Sequence, residues 1–142
     1  MTSKKRITEK NNKSEILSVL PTDNVIDAIT IMAERNIGSM LVMEGDKLCG
    51  IFSERDYVRK GIVKGRKANS TPMADVMTPN VFTVAPDMNI VDCMELMSSK
   101  RIRHLPVVEN EKVVGLLSVG DIVTALIKEQ KSHISFLEQY IA

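Results

Sequence analysis

Apolar positions along this chain follow two alternating rhythms. Val25, Ile26, Ile29, Met32 and Ala33 recur at helical spacing behind the turn and cap signal Pro21-Thr22-Asp23, and Ile90, Val91, Met94 and Met97 repeat that spacing further on. The runs Ile37 to Met43 and Ile102 to Val108 are short, apolar and β-prone. Each leads through a Gly/Asp or Glu/Asn turn into a second such run, Lys47 to Phe52 or Lys112 to Leu117, which predicts a hairpin. Asp56 and Asp121 follow the second strand and open another helix, Tyr57 to Ile62 and Ile122 to Ile127. With a first strand around Val19 and Val84, the pattern predicts a β-α-β-β-α unit.

The unit occurs twice. Ser18 to Ile62 superposes on Thr83 to Ile127 without a gap: Val19 matches Val84, Pro21 Pro86, Asn24 Asn89, Asp27 Asp92, Met32 Met97, Ile37 Ile102, Val42 Val107, Gly50 Gly115, Ser53 Ser118 and Asp56 Asp121. One frame held across apolar, glycine and acidic positions marks a duplication. The expected organisation is a disordered polar tail over 1–14, a first repeat over 15–63 and a solvated linker over 64–71. A second repeat over 72–128 follows, opened by a short helical lead-in from Pro72 to Met77, then a C-terminal helix over 129–142 with Ile134, Phe136, Leu137, Tyr140 and Ile141 along one face.

Charge and composition narrow the partners. Lys+Arg total 19 against Asp+Glu 18, a net charge of +1, so nothing pulls the whole chain toward nucleic acid or an anionic membrane and anion recognition has to be local. There is no Trp, which leaves base-stacking platforms poorly supplied. Cys49 and Cys93 sit in apolar stretches without disulfide or metal-ligand spacing and read as small core residues in a reducing compartment. No apolar run approaches the roughly 20 residues that span a bilayer, and the basic start has no apolar signal region behind it. A soluble, cytoplasmic protein with no membrane partner is expected. The nine Met residues fall mostly at core-facing spacing, and His133 reads as exposed. Lys64, Arg66 and Lys67 read as a solvated basic loop that could also steer an anion.

The sharpest local feature is a glycine, two apolar residues, a serine, two variable residues and an aspartate. It stands as Gly50-Ile51-Phe52-Ser53-Glu54-Arg55-Asp56 and again as Gly115-Leu116-Leu117-Ser118-Val119-Gly120-Asp121. A hydroxyl and a carboxylate are thereby placed at the end of a strand, ahead of a helix whose dipole favours an anion. An ionised carboxylate only accepts, so it can receive both donors of a vicinal diol, while the serine can reach phosphate or sugar oxygens. The plainer reading is that Asp56 and Asp121 only cap helices. Capping would be duplicated too, so recurrence alone leaves both readings open.

The repeat resembles a pair of CBS domains, a Bateman module, over Glu15 to Lys128. The matching residues are Val19-Leu20-Pro21 and Val84-Ala85-Pro86, the run Arg103 to Val108, and both glycine-to-aspartate motifs. The Ser53-Glu54-Arg55-Asp56-Tyr57 form is similar to short stand-alone CBS-pair proteins. The resemblance implies an α/β fold of two tandem CBS repeats packed through their sheets as one module. It further implies two clefts that bind AMP, ADP or ATP, and in some members NAD or S-adenosylmethionine. One cleft would combine Thr83, Ile102, Arg103 and His104 with Ser53, Arg55 and Asp56; the other Ser18, Ile37, Gly38 and Ser39 with Ser118, Gly120 and Asp121. Arg103, Arg55 and His104 suit phosphate, whereas Gly38, Ser39 and Gly120 hold the corresponding places, so a phosphorylated ligand is expected chiefly in the Arg103 cleft. Leu41 stands where the second copy has Pro106, which departs from the family pattern. A homodimer and a separate, unidentified effector protein are also implied.

Three other functions compete with a regulatory nucleotide sensor. Catalysis would draw on Ser118, Asp121 and His104 as a triad, but the resemblance puts His104 and Ser118 in opposite clefts, and no metal-ligating set is spaced for one. An assembly module without ligand would leave Ser53, Arg55, Asp56 and Arg103 without a use. Nucleic-acid binding through Lys4-Lys5-Arg6 and the linker lacks both net charge and aromatics.

Overall fold

The computed structural model describes residues 17–130, with side-chain surroundings for 17–128. The expected tail, the apolar stripe from Ile134 to Ile141 and His133 lie outside those residues. The described chain divides into two compact units, one ending at Phe82 and the other beginning at Thr83.

In the first unit, β1 (Ser18–Val19) runs parallel to β2 (Ser39–Glu44), which pairs antiparallel with β3 (Lys47–Ser53). Helix α1 (Val25–Arg35) lies between β1 and β2 in the chain and turns Val25, Ala28 and Met32 inward. Those three close a core with Val19, Met40, Val42, Phe52, Met73 and Val76. Asn36 ends α1 in the left-handed conformation at φ 55, and the Ile37 amide returns to the Met32 carbonyl at 3.0 Å.

The second unit repeats this plan. Helix α3 (Ile90–Lys100), β4 (His104–Glu109), β5 (Lys112–Ser118) and helix α4 (Val119–Gln130) enclose a core of Ile90, Cys93, Met97, Leu105, Val107, Leu117, Ile122, Ala125 and Val84. The first strand is reduced here to a bridge of Val84 on Val107. Proline explains the difference. In the first unit the Leu41 amide donates to Leu17 at 3.4 Å, whereas Pro106, at the same place, has no N–H to extend the ladder.

Two segments differ from the sequence pattern. The helix after β3 winds as one α-turn, α2 (Glu54–Asp56), and then as a π-helical stretch (Tyr57–Ile62), with the Val63 amide reaching back to Val58 at 3.0 Å. Gly61 lies close under the Tyr57 ring, where an added Cβ would stand 3.2 Å from Cδ1. The segment read as a solvated linker is exposed from Lys64 to Lys67, but beyond that it closes over the start of α1. The Thr71 and Ala68 carbonyls accept from the Val25 and Ile26 amides at 2.8 and 2.9 Å, and Thr71 is buried. Helix starts leave such amides without intrahelical partners. Arg66, counted with the basic loop, donates through Nη1 to the Lys60 carbonyl at 2.7 Å and so closes the end of the preceding helix. The short helical lead-in is present as a 3₁₀ turn, Met73–Asp75, and its Met73 and Val76 are buried in the first unit's core.

Candidate functional site

Each glycine-to-aspartate motif spans the junction of a strand and a helix. Ser53 is the last residue of β3 and stays extended at φ −127, so the chain turns into a helix directly behind it. The Asp56 amide donates to Ser53 Oγ at 3.2 Å, and the Ser53 amide donates to Asp56 Oδ2 at 3.0 Å. The second copy repeats both bonds: Asp121 N to Ser118 Oγ at 3.1 Å and Ser118 N to Asp121 Oδ2 at 3.0 Å. Capping, one of the two sequence readings, is therefore built in both units. The helices start at Glu54 and Val119, and the carboxylates stand three residues after the capping serine, in a reciprocal capping box, rather than opening the helix themselves.

The same junction is fastened to the strand beside it. The Glu54 amide donates to the Gly38 carbonyl at 3.1 Å, and the Val119 amide to the Arg103 carbonyl at 2.8 Å. Register partners complete the arrangement, Ser39 opposite Ser53 and His104 opposite Ser118. Within the first unit the structure thus gathers Gly38, Ser39, Ser53 and Asp56; within the second it gathers Arg103, His104, Ser118 and Asp121. His104 and Ser118, which the resemblance assigns to different ligand sites, are neighbours on adjacent strands. This removes the separation used above against a triad. What counts against one is that Ser118 and Asp121 are engaged with each other's backbone at the start of α4.

The remaining candidates divide by exposure. Ser18, Thr83, Arg55, Arg103 and Gly120 are exposed; Ser39 is buried, and His104 is half-buried. Ile37 and Ile102 are half-buried and pack against their own unit's core.

Two residues that the sequence reading missed bear on Asp56. Thr78 Oγ1 donates to Asp56 Oδ1 at 3.1 Å, and Lys60 Nζ lies 3.6 Å from the same oxygen. Lys60 also donates to the Met77 carbonyl at 3.3 Å and to Thr78 Oγ1 at 3.2 Å. Lys60 carried a signal, being four residues after Asp56 on a helix; Thr78 carried none. Ala125 holds the place of Lys60 in the second copy. Among the described residues no group of His, Cys, Asp and Glu is arranged to hold a metal ion, and no helix is long and apolar enough to cross a membrane.

The CBS-domain family model matches residues 12–62 and 73–128. The CBS domain-containing protein CBSX3 of Arabidopsis thaliana, described as mitochondrial, is 40% identical over 124 residues, covering 84% of this chain and 60% of that protein. YhcV of Bacillus subtilis, a CBS domain-containing protein, is 29% identical over 109 residues, 77% of either chain. The solved structure of a protein with CBS domains from Burkholderia ambifaria superposes with a TM-score of 0.84 at 38% identity, over 89% of this chain and 96% of that one. The chain belongs to the CBS-domain family and carries two tandem CBS repeats.

Proposed function

We propose that the chain is a regulatory, non-enzymatic module that binds an adenine nucleotide, AMP, ADP, ATP or NAD, and passes the signal to a separate protein in the cytoplasm. The observation that carries this reading is the serine–carboxylate pair built twice at a strand-to-helix junction. The carboxylate there can accept from a diol once a present donor yields, and each repeat carries an exposed arginine, Arg55 in the first and Arg103 in the second. Asp56 and Asp121 are assigned to ribose hydroxyls, and Ser53 and Ser118 to the phosphate side. Arg55, Arg103 and His104 are assigned to phosphate, and Thr83, Ile102, Ser18, Ile37, Gly38, Ser39 and Gly120 to the remainder of the ligand. Membership of a family whose pairs are typically regulatory supports it. A nucleotide regulates only through a difference in affinity between two states of the module.

Thermal unfolding with AMP, ADP, ATP, NAD and S-adenosylmethionine in turn tests the reading. A ligand present at about 100 times its dissociation constant stabilises by about 2.7 kcal/mol. A rise in Tm with at least one adenine nucleotide is expected; an unchanged Tm with all of them at millimolar concentration would overturn it.

One observation favours self-association alongside ligand binding. Val58 and Ile62 in the first repeat, and Val123 and Ile127 at the same places in the second, are large apolar residues left exposed. A homodimer formed over these helices is the proposed assembly. The CBS-CP12 protein of bloom-forming cyanobacteria, similar in fold, is hexameric. Light scattering should give at least twice the 15.8 kDa chain mass.

A further inference from the structure

The acceptor capacity of Asp56 is nearly filled. A carboxylate offers about four lone-pair positions. Oδ2 takes the Ser53 amide at 3.0 Å and the Ser53 hydroxyl at 3.2 Å, both part of the helix start. Oδ1 takes the Thr78 hydroxyl at 3.1 Å and faces the Lys60 ammonium at 3.6 Å. Three of the about four positions are taken, so a ligand diol, which brings two donors, has to displace one of them. Removing the Ser53 donors would unwind the cap. Thr78 needs only to leave Oδ1, and Lys60 retains the Met77 carbonyl as an acceptor when it does.

Thr78 is not a free side chain on a loop. Its amide donates to the Ile51 carbonyl at 2.8 Å and its carbonyl accepts from the Ile51 amide at 3.0 Å. It thus forms a one-residue bridge that ties the segment after the 3₁₀ turn to β3. Gly50, next to Ile51, is packed so closely beneath that segment that an added Cβ would stand 2.7 Å from the Thr78 carbonyl oxygen.

We infer that Thr78 is a gate on the Asp56 acceptor: a ligand diol seats both its hydroxyls on the carboxylate only by displacing the Thr78 hydroxyl, and that exchange loosens the Met77–Thr78 segment from β3. The inference rests on the assignment of Asp56 to a ligand hydroxyl. It converts occupancy at the first repeat into a change in the chain that leads to the second. It belongs to the first repeat, since Ala125 replaces Lys60 in the other copy.

Calorimetric titration with AMP of wild type, Thr78→Val and Thr78→Ser tests the gate, together with amide hydrogen exchange of Ile51 and Thr78 in wild type. Thr78→Val should bind AMP about tenfold to a hundredfold more tightly, the worth of one hydrogen bond to a charged carboxylate no longer surrendered. Thr78→Ser should match wild type. Saturating AMP should speed exchange at the Ile51 and Thr78 amides, a readout that needs no variant to fold. Intact AMP binding with equal or weaker affinity in Thr78→Val, or with unchanged or slower exchange, overturns the gate and leaves the nucleotide reading standing. If none of AMP, ADP, ATP and NAD binds any of the three proteins, both readings are overturned.

Discussion

Ser53 and Asp56 hold each other at both ends of one turn, the serine hydroxyl accepting from the aspartate's amide at 3.2 Å and the carboxylate accepting from the serine's amide at 3.0 Å. The residues assigned to ligand are thus the residues that start the helix. The carboxylate is fixed in place before any ligand arrives, and preorganisation of this kind lowers the ordering cost of binding. The same economy has a consequence for mutagenesis: lost binding in Asp56→Ala would report a damaged helix start as readily as a lost ligand contact, so stability has to be measured beside affinity.

The reciprocal cap in each copy should be worth a measurable amount on its own. Ser53→Ala and Ser118→Ala are each expected to cost about 1 kcal/mol, the usual worth of a capping side chain, without changing the fold. Urea unfolding of the ligand-free protein reads this directly. A loss below about 0.3 kcal/mol in both variants would mean that the caps are not contributing to stability.

Gly50→Ala should be more damaging than either serine variant. Its Cβ would stand 2.7 Å from the Thr78 carbonyl oxygen and 2.9 Å from Met77 Sδ. The sulfur can move aside; the backbone oxygen moves only if the Ile51–Thr78 bridge opens. A cost of about 1 to 3 kcal/mol is expected from overpacking of this kind, with the Thr78 amide losing its protection against hydrogen exchange. Wild-type stability with a protected Thr78 amide would show that the segment yields without cost.

Much of this architecture is legible in the sequence because it is local or duplicated. The helical spacing of Val25, Ile29 and Met32, the paired runs around Gly45 and Asn110, and the Ser-x-x-Asp turns all express their structure within a few residues, whereas Ile26 and Ala33 of the same pattern stay exposed and Ala28 takes the buried place. What could not be read is non-local. Thr78 meets Asp56 across 22 positions of chain, and Asn24 Nδ2 meets the Asn69 carbonyl across 45. Nothing in a polar stretch such as Lys67-Ala68-Asn69-Ser70 announces that its carbonyls will serve the amides of a distant helix. The π-helical winding of Tyr57–Ile62 escaped for a different reason, since its apolar spacing suits an ordinary helix equally well.

Cys93 gives a pH signature confined to the second unit. Burial, reinforced by the neighbouring Asp92 carboxylate, pushes its thiol from 9.0 up to about 11. The folded state then holds the thiol proton more tightly than the unfolded state does. The associated stability is complete below about pH 9 and is lost as the pH rises through about 11. Cys93→Ala should lose the part of the alkaline decline that wild type shows in that window, measured as the difference between the two unfolding curves from pH 8 to 11. The half-exposed Cys49 should meanwhile be alkylated in the folded protein at pH 8 while Cys93 is not. Parallel curves for wild type and variant would show that Cys93 does not titrate differently on folding.

The phosphate assignment of Arg103 can be separated from every structural role it has. Its carbonyl accepts from the Val119 amide at 2.8 Å, which fixes the backbone whatever side chain is attached, and the residue itself is exposed. Arg103→Ala should therefore leave the ligand-free unfolding curve within about 0.5 kcal/mol of wild type, as surface substitutions usually do. Gly38 stands at the same place in the first copy, so the arginine marks one repeat only. A hydrogen bond to a charged group contributes about 1.5 to 3 kcal/mol, so AMP should bind the variant about tenfold to a hundredfold more weakly. Adenosine has no phosphate to lose, and its affinity should change by less than about twofold. Titrating wild type and variant with both ligands decides the matter. If AMP and adenosine weaken together, the side chain supports the pocket generally; if neither weakens, it does not meet the ligand. Either result removes Arg103 from the argument for unequal ligand chemistry in the two repeats, and leaves it resting on Arg55, whose place in the second copy is held by Gly120.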